Sequence, residues 1–376
     1  MNPLPRFVLL YAALYSAFGV ASPFLPVFLE SRGLPPEEIG LVLAAGTAVR
    51  LLASPVAGRI GDLTQNLRGV LVASTALAAF ATLGYLPAQG LWVLLPVYLL
   101  HAASLAPVTV LADALALRQR FEYGWVRGTG SAAFIAATLL SGQAVGAFGL
   151  QSILWLQASL LGAAALAALR VPEFAHTGVV RPAGGSIPAL LRIPAFRNLV
   201  LASALILGSH AMHDAFAVIR WTAAGITPAM ASLLWSEAVA AEVLVFFLVG
   251  PALVTRLTPA GAIALAAMAG TLRWVVMAQT ADLAALALVQ PLHGITFALL
   301  HLACMRLIAR IVPQGLEGTA QAIYGTVGIG AATALMTLLS GGIFARLGAQ
   351  GFWVMAVLCA AALPLAWVLR SARRMA

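Results

Sequence analysis

The stretch Thr138-Leu-Leu-Ser-Gly142 occurs a second time, letter for letter, as Thr337-Leu-Leu-Ser-Gly341, 199 residues later. Each copy follows a Tyr-Gly pair, Tyr123-Gly124 in the first case and Tyr324-Gly325 in the second. Two further matches keep nearly the same offset. Gly33-Leu34-Pro35 answers to Gly225-Ile226-Thr227-Pro228, 192 residues on, and Pro55 answers to Pro251. A single match of this kind is weak, but four in register predict one structural unit used twice.

The unit is apolar. Of the 376 residues, 62% are hydrophobic and 9% are charged, against roughly 25% charged in soluble domains. Mean hydropathy is +0.99. Runs long enough to cross a ~30 Å hydrocarbon core fall near 6–29, 39–60, 70–87, 91–115, 126–148, 152–169, 198–220, 229–254, 260–279, 283–309, 319–344 and 351–369. No period-2 alternation suggests a barrel, so each run is expected to be a continuous helix with its backbone satisfied internally. The expected fold is all-α and integral to the membrane, with twelve transmembrane helices in two six-helix pseudo-symmetric halves. The halves are 1–170 and 198–376, joined by a cytoplasmic linker, 171–197, that contains Pro172, Gly178, Pro182, Gly184, Gly185 and Pro188. The first run is too long for a signal peptide and leads directly into further spans.

Orientation follows from the arginines, since all 21 basic residues are Arg. With the N-terminus inside, the inner loops and tails hold Arg6, Arg59, Arg68, Arg118, Arg120, Arg127, Arg170, Arg181, Arg192, Arg197, Arg256, Arg306, Arg310, Arg370, Arg373 and Arg374. Outer loops hold Arg32, Arg220 and Arg346. This sidedness predicts both termini in the cytoplasm. The net charge of +9 is then a topology signal, and no nucleic-acid partner is implied. The Arg, Ala, Gly and Leu usage points to a GC-rich bacterial genome, hence a multi-pass protein of the cytoplasmic membrane. Cys304 and Cys359 both lie in apolar runs and imply no disulfide framework. No Gly-x-x-x-x-Gly-Lys-Ser/Thr loop is present, so ATP is not the expected energy source.

Ionisable side chains inside such runs are costly and are functional candidates by default. Gln290 to Arg306 is the densest stretch, with His293 and His301 in one run. Arg273 lies twenty residues before His293, and Glu242 lies in the run before that. At 1.5 Å per residue all three fall within a turn or two of the midplane. Protonating Glu242 would free Arg273, which is how a proton site can be coupled to a substrate site; the plainer alternative is a static Glu242–Arg273 pair. In the first half Arg50 and His101 are near mid-span. Arg50 has no acidic residue at its depth in that half, so a substrate anion is its natural partner, with snorkelling or a carboxylate such as Asp214 or Glu237 as alternatives. His210, His213 and Asp214 share one helix face, and the i, i+4 spacing lets His210 pair with Asp214. They suit an outer gate, a proton relay or a polar stripe facing a cavity. Glu237 lies about 140° around its helix from Glu242. His301, Cys304 and Met305 carry soft-metal ligand types, but no second cluster converges on them, and no metal is expected.

These features together resemble the major facilitator superfamily over the whole chain. Gly58-Arg-Ile-Gly-Asp62-Leu-Thr-Gln-Asn-Leu-Arg68 is similar to its signature loop, with Leu63 and Gln65 in place of the usual basic residue and glycine. The resemblance implies that Asp62 latches an inward gate. Pro23-Phe-Leu-Pro26, Arg50 ahead of Pro55, Tyr123-Gly-Trp-Val-Arg127-Gly-Thr-Gly-Ser131, Glu242 before Phe246-Phe247, and Leu292-His293 with Thr296-Phe297 resemble one branch of it. That branch includes lactose permease, 3-phenylpropionate permease and nucleoside–proton symporters. It implies a sugar-binding role for Arg127 and proton coupling for Arg273 and His293. The carboxylate one turn after that histidine is replaced by Thr296, so Glu242 would have to do its work. Asp113 and Arg127 sit near the cytoplasmic ends of their spans, where a gate or structural pair fits better than a substrate site. The span from Gly128 to Phe148 has no proline, unlike the Gly-Pro signature of antiporters, which favours uptake.

The resulting expectation is a secondary active transporter, monomeric and without cofactor, that uses the proton gradient to take up a small organic substrate by alternating access. Proton coupling is assigned to Glu242, Arg273 and His293, and substrate contact to Arg50, His101, His210, Asp214 and Glu237. Asp62, Asp113 and Arg127 are assigned to gating or structure. An aromatic carboxylate is the first substrate class, then a nucleoside or sugar. A proton-driven exporter and an intramembrane enzyme are the alternatives.

Overall fold

The computed structural model describes residues 3–119, 121–172 and 187–371. Arg120, Arg181, Arg373, Arg374 and the linker residues Gly178, Pro182, Gly184 and Gly185 lie outside these residues. Among the described residues every regular element is helical and there is no strand, as a chain without water to bond its backbone requires. Among the described residues nine helices are long and apolar enough to cross a membrane. Two of them, Pro228–Gln279 with 52 residues and Glu317–Arg370 with 54, exceed the roughly 20 residues that one crossing needs. The first is broken at Thr258, whose φ of 68° and ψ of 158° are not helical, where Pro259 disfavours helical geometry for its predecessor. The second is interrupted at Gly348, whose φ is 53°. The helix Leu67–Leu83 is apolar but shorter. It starts where the Asn66 side chain accepts from the Gly69 N–H at 2.6 Å.

The expected continuity of the runs is corrected in two ways. Turns at Ser22–Phe24, Ala106–Pro107, Ser209–His210 and Gln290–Pro291 interrupt four of them. Three contain a proline, which lacks the N–H that a continuing helix needs. At Ser209 the hydroxyl instead bonds the Ile206 carbonyl at 2.6 Å. In addition, Val245–Val249, Ile295–Leu299 and Tyr324–Ala331 are π-helical, a form that often marks functional positions. Glu242 stands just before the first of these and His293 just before the second.

The chain forms two compact units, Met1–Val179 with Trp221–Leu233, and Val180–Arg220 with Leu234–Ala376. In the first, Phe7, Leu10 and Leu14 pack against Leu71, Leu111 and Leu161 from three other helices. A Cβ on Gly19 would lie 2.3 Å from the Phe134 carbonyl oxygen, so the helices Leu4–Ala21 and Tyr123–Phe148 approach to backbone distance. Thr138 ties the same crossing by donating to the Gly19 carbonyl at 3.0 Å, which gives the first copy of the repeated stretch a structural task. Within the same unit Gly142 lies against Ser232 and the Pro228 carbonyl, 2.1 and 2.7 Å from where a Cβ would stand. In the second unit the corresponding helices meet where Gly208 faces Met336.

Two of the three arginines expected in outer loops, Arg32 and Arg220, act alike, one in each unit. Arg32 donates to the Leu86 carbonyl at 3.0 Å and lies over the Phe28 ring. Arg220 donates to the Met277 carbonyl and, at 2.9 Å, to the Thr280 carbonyl, and lies over Phe352. Arg220 thus caps carbonyls left open at the C-terminus of Gly250–Gln279, and Arg32 holds a carbonyl in the turn that follows Leu67–Leu83. Glycine also controls the approach that matters most for the site. A Cβ at Gly294 would come within 2.5 Å of the Ala241 carbonyl and 2.9 Å of Val245. Gly294→Leu should therefore destabilise the protein by a few kcal/mol, about the upper range for overpacking, whereas Gly146→Ala, with open space around it, should leave stability unchanged. Thermal unfolding of the purified variants in detergent checks both.

Candidate functional site

The helix Gly250–Gln279 carries Arg273 at 0% exposure, the third largest of the fully buried side chains. A guanidinium with no acceptors in such a place would cost several kcal/mol. Four hydrogen bonds meet it. Gln290 Oε1 accepts from Nε at 3.3 Å and from an Nη at 2.9 Å. His293 Nδ1 lies 3.2 Å from the other Nη, and His213 Nε2 lies 3.3 Å from the first. The guanidinium also rests on the Trp274 ring, 4.6 Å from its centroid, while the indole N–H donates to Ser209 at 2.8 Å.

Arginine has only donors, so both facing imidazole nitrogens must be acceptors. That fixes the tautomers. His293 presents its lone pair at Nδ1 and carries its proton on Nε2, which lies 3.4 Å from Glu242. His213 presents its lone pair at Nε2 and carries its proton on Nδ1, which lies 3.1 Å from Asp214. Gln290 Nε2, 3.4 Å from the same His213 nitrogen, agrees with that assignment. The result is a symmetric chain, carboxylate–histidine–arginine–histidine–carboxylate, built wholly within the second unit. Aromatic rings stiffen both arms: Trp235 stacks on His213 at 5.1 Å and Phe297 on His293 at 5.6 Å.

The structure thus brings Glu242, Arg273 and His293 together, but not in the expected order. Among the described residues no salt bridge joins Glu242 to Arg273; His293 stands between them, because its ring spans the gap with one nitrogen for each. The expected His210–Asp214 pair is also corrected. The turn at Ser209–His210 ends the preceding helix, and His210 faces His293 and Trp274, at 5.2 and 5.4 Å between ring centroids. Asp214 pairs with His213 instead. Glu237 is half-buried on the helix Pro228–Leu244 and has no hydrogen bond or ion pair among the described residues. His301 lies apart, bonded to the Tyr324 hydroxyl at 3.3 Å. No metal-binding group of His, Cys, Asp and Glu occurs among the described residues; Cys304 and Cys359 are buried and free.

In the first unit Arg50 is exposed on the helix Pro36–Thr64 and donates to Thr47 at 2.9 Å. The Tyr98 ring lies so close to Gly46 that a Cβ there would be 2.1 Å from it, which places the phenol beside the guanidinium. His101 is buried behind, with Nδ1 3.2 Å from the Tyr85 hydroxyl. Asp113 and Arg127 do form a pair, at 3.8 Å. Tyr11 and Tyr123 both donate to Asp113, and Arg127 donates to Tyr15. Asp62 is exposed near the end of its helix, just before Gln65 turns the chain with φ 55°. Gln290, Tyr98 and Tyr85 escaped the sequence reading because a search for charge passes over neutral side chains. Gln290, a lone amide among Leu, Ala and Val, was the one detectable signal.

The comparisons agree with this architecture. The chain belongs to the MFS_1 like family, which matches residues 5–355. It is 34% identical to the probable 3-phenylpropionic acid transporter of Escherichia coli (strain K12) over 356 residues, 92% of this chain and 93% of that one. It is 26% identical to the maltose permease of Geobacillus stearothermophilus, over 90% and 87% of the two chains. The crystal structure of the nucleoside transporter NupG superposes with a TM-score of 0.81 at 17% identity, over 99% of each chain, and so shares the fold. The protein is a multi-pass membrane transporter of the major facilitator type for a small-molecule substrate, and not an enzyme.

Gln290 accounts for two of the four bonds to Arg273. Gln290→Leu should cost about 3 kcal/mol, the order expected when a buried charge loses its partner, read as a lowered thermal midpoint of the purified protein. An unchanged midpoint would mean that Arg273 has other acceptors within reach.

Proposed function

We propose that the protein is a proton-coupled importer of an aromatic carboxylate, of the 3-phenylpropionate kind, working by alternating access. The observation that carries the substrate class is the 34% identical transporter whose name specifies 3-phenylpropionic acid. Arg50 supports it as an exposed guanidinium on an apolar helix with no carboxylate partner among the described residues. Tyr98 beside it and His101 behind it would complete a receptor for an anion. A sugar is the second reading, favoured by the maltose permease relative.

Proton coupling is assigned to Glu242, Arg273 and His293. As long as Glu242 is ionised, the His293 N–H has an anionic acceptor and Arg273 holds the opposite nitrogen. Protonating Glu242 removes that anion and changes the balance of charge around a cation that cannot leave the interior. Counting Pro228–Gln279 and Glu317–Arg370 as two crossings each and Leu67–Leu83 as one gives twelve spans. We place both termini in the cytoplasm of a bacterium and take the transporter to act as a monomer in the inner membrane, with the proton gradient as its energy source. Asp62, and the pair Asp113 and Arg127, belong to gating.

Proteoliposomes with an imposed pH gradient test the reading. Labelled 3-phenylpropionate should accumulate against its gradient; accumulation of maltose alone would favour the second reading, and outward movement of the acid would favour export. Glu242→Gln should abolish accumulation while substrate exchange stays measurable. Arg50→Ala should weaken binding of the acid by tenfold or more, equivalent to about 1.4 kcal/mol, with no loss for neutral analogues such as the corresponding amide. Thermal-shift titration measures that difference.

A further inference from the structure

The chain through Arg273 has two carboxylate ends, and the reading above uses one of them. Asp214 repeats the arrangement at Glu242: a carboxylate facing the N–H of a buried histidine whose other nitrogen accepts from Arg273. Both carboxylates lie at the rim, with side chains 55% and 30% exposed for Asp214 and Glu242, while Arg273 is at 0%. Among the described residues, other titratable groups face Asp214 and His213 from several elements. His210 comes from the preceding turn, Glu242 and His293 from the helices Pro228–Leu244 and Leu292–Gly294, and Cys359 from Phe352–Ser371, where its Sγ lies 3.1 Å from Ser209.

We propose that Asp214 and His213 form a second proton-accepting arm, coupled to Glu242 and His293 through their shared donor Arg273, so that the cluster takes up a proton at one arm or the other but not at both. The inference rests on the proton-coupled reading above. With both carboxylates ionised and both histidines neutral, two anions surround one cation, and the cluster has an excess negative charge. One proton from water, bound to either carboxylate oxygen, leaves one anion for one cation. A second proton would leave the Arg273 charge in a fully buried position with no anion in its surroundings, which is the costly case for buried ions. The two arms therefore exclude each other without touching.

This gives Asp214 a consequence that a merely structural residue would not have. Asp214→Asn fixes that arm in its neutral form. The cluster then begins balanced, and Glu242, though intact, has no reason to accept a proton. The expected result is that wild-type protein takes up about one proton per chain more than Glu242→Gln on acidification, a difference read directly with a pH indicator. Glu242→Gln and Asp214→Asn should each lose that uptake, and Asp214→Asn should lose proton-driven accumulation as well. Asp214→Glu should restore both. In the double variant Asp214→Asn with Arg273→Gln, the cation and one anion are both gone, and proton uptake by Glu242 should return. Unfolding midpoints of every variant identify those that fail to fold, and proton uptake is compared among folded variants only, because unfolding itself exposes buried histidines that bind protons. Full proton uptake and accumulation in Asp214→Asn would overturn the second arm while leaving the Glu242 assignment in place. Unaltered accumulation in Glu242→Gln would instead overturn the proton-coupled reading itself, so the two failures are distinguishable.

Discussion

A guanidinium that cannot lose its proton, held at 0% exposure in the helix Gly250–Gln279, is the constraint on which the second unit is built. Such a group must find acceptors, because leaving it bare costs more than the few kcal/mol of net stability that a domain can spare. The chain supplies an amide and two imidazoles, on three other segments, and each must arrive with its lone pair forward. The carboxylates then sit one residue further out. A directly paired carboxylate would have neutralised Arg273 and closed the site electrically; a histidine in between keeps the attraction and leaves the carboxylate near the rim.

The backbone departs from regular helix around this cluster. The Ser209–His210 turn precedes His213, the Gln290–Pro291 turn precedes His293, and π-helical segments follow both Glu242 and His293. A regular helix repeats its side-chain directions every 3.6 residues, so four segments can aim several polar groups at one guanidinium only if some of them break that repeat. Gly294 contributes by allowing its segment to touch the Ala241 carbonyl. The first unit uses the same device for a different end, where Gly46 admits the Tyr98 ring beneath Arg50.

The two units share their packing and an arginine that holds backbone carbonyls, but their polar interiors differ. Gly19 against Phe134 corresponds to Gly208 against Met336, and Arg32 and Arg220 both donate to backbone carbonyls. The first unit collects three tyrosines around Asp113 and Arg127 and leaves Arg50 exposed. The second buries its arginine among histidines. A duplicated scaffold with unlike interiors suits a transporter in which anion binding and proton binding are separate tasks.

Much of this was legible without coordinates. Composition and run length determined a helical membrane protein, the repeated Thr-Leu-Leu-Ser-Gly stretch pointed to duplication, and the cost of charge in an apolar run singled out Glu242, Arg273 and His293. These properties are local: hydrophobicity, length and charge are carried by each residue wherever it ends up. Which groups touch is not local. The i, i+4 spacing puts His210 within reach of Asp214, and equal depth puts Glu242 within reach of Arg273; in the structure Asp214 pairs with His213 instead, and His293 stands between Glu242 and Arg273. Tyr98 and Tyr85 carry no charge to mark them and become visible only where the fold brings them against Arg50 and His101, while Gln290 stands out in sequence as a lone amide but not as the partner of Arg273. The sequence by itself determined that charge would be buried; the tertiary structure alone decided how it is shared, because hydrogen-bond geometry depends on the meeting of several segments rather than on any one of them.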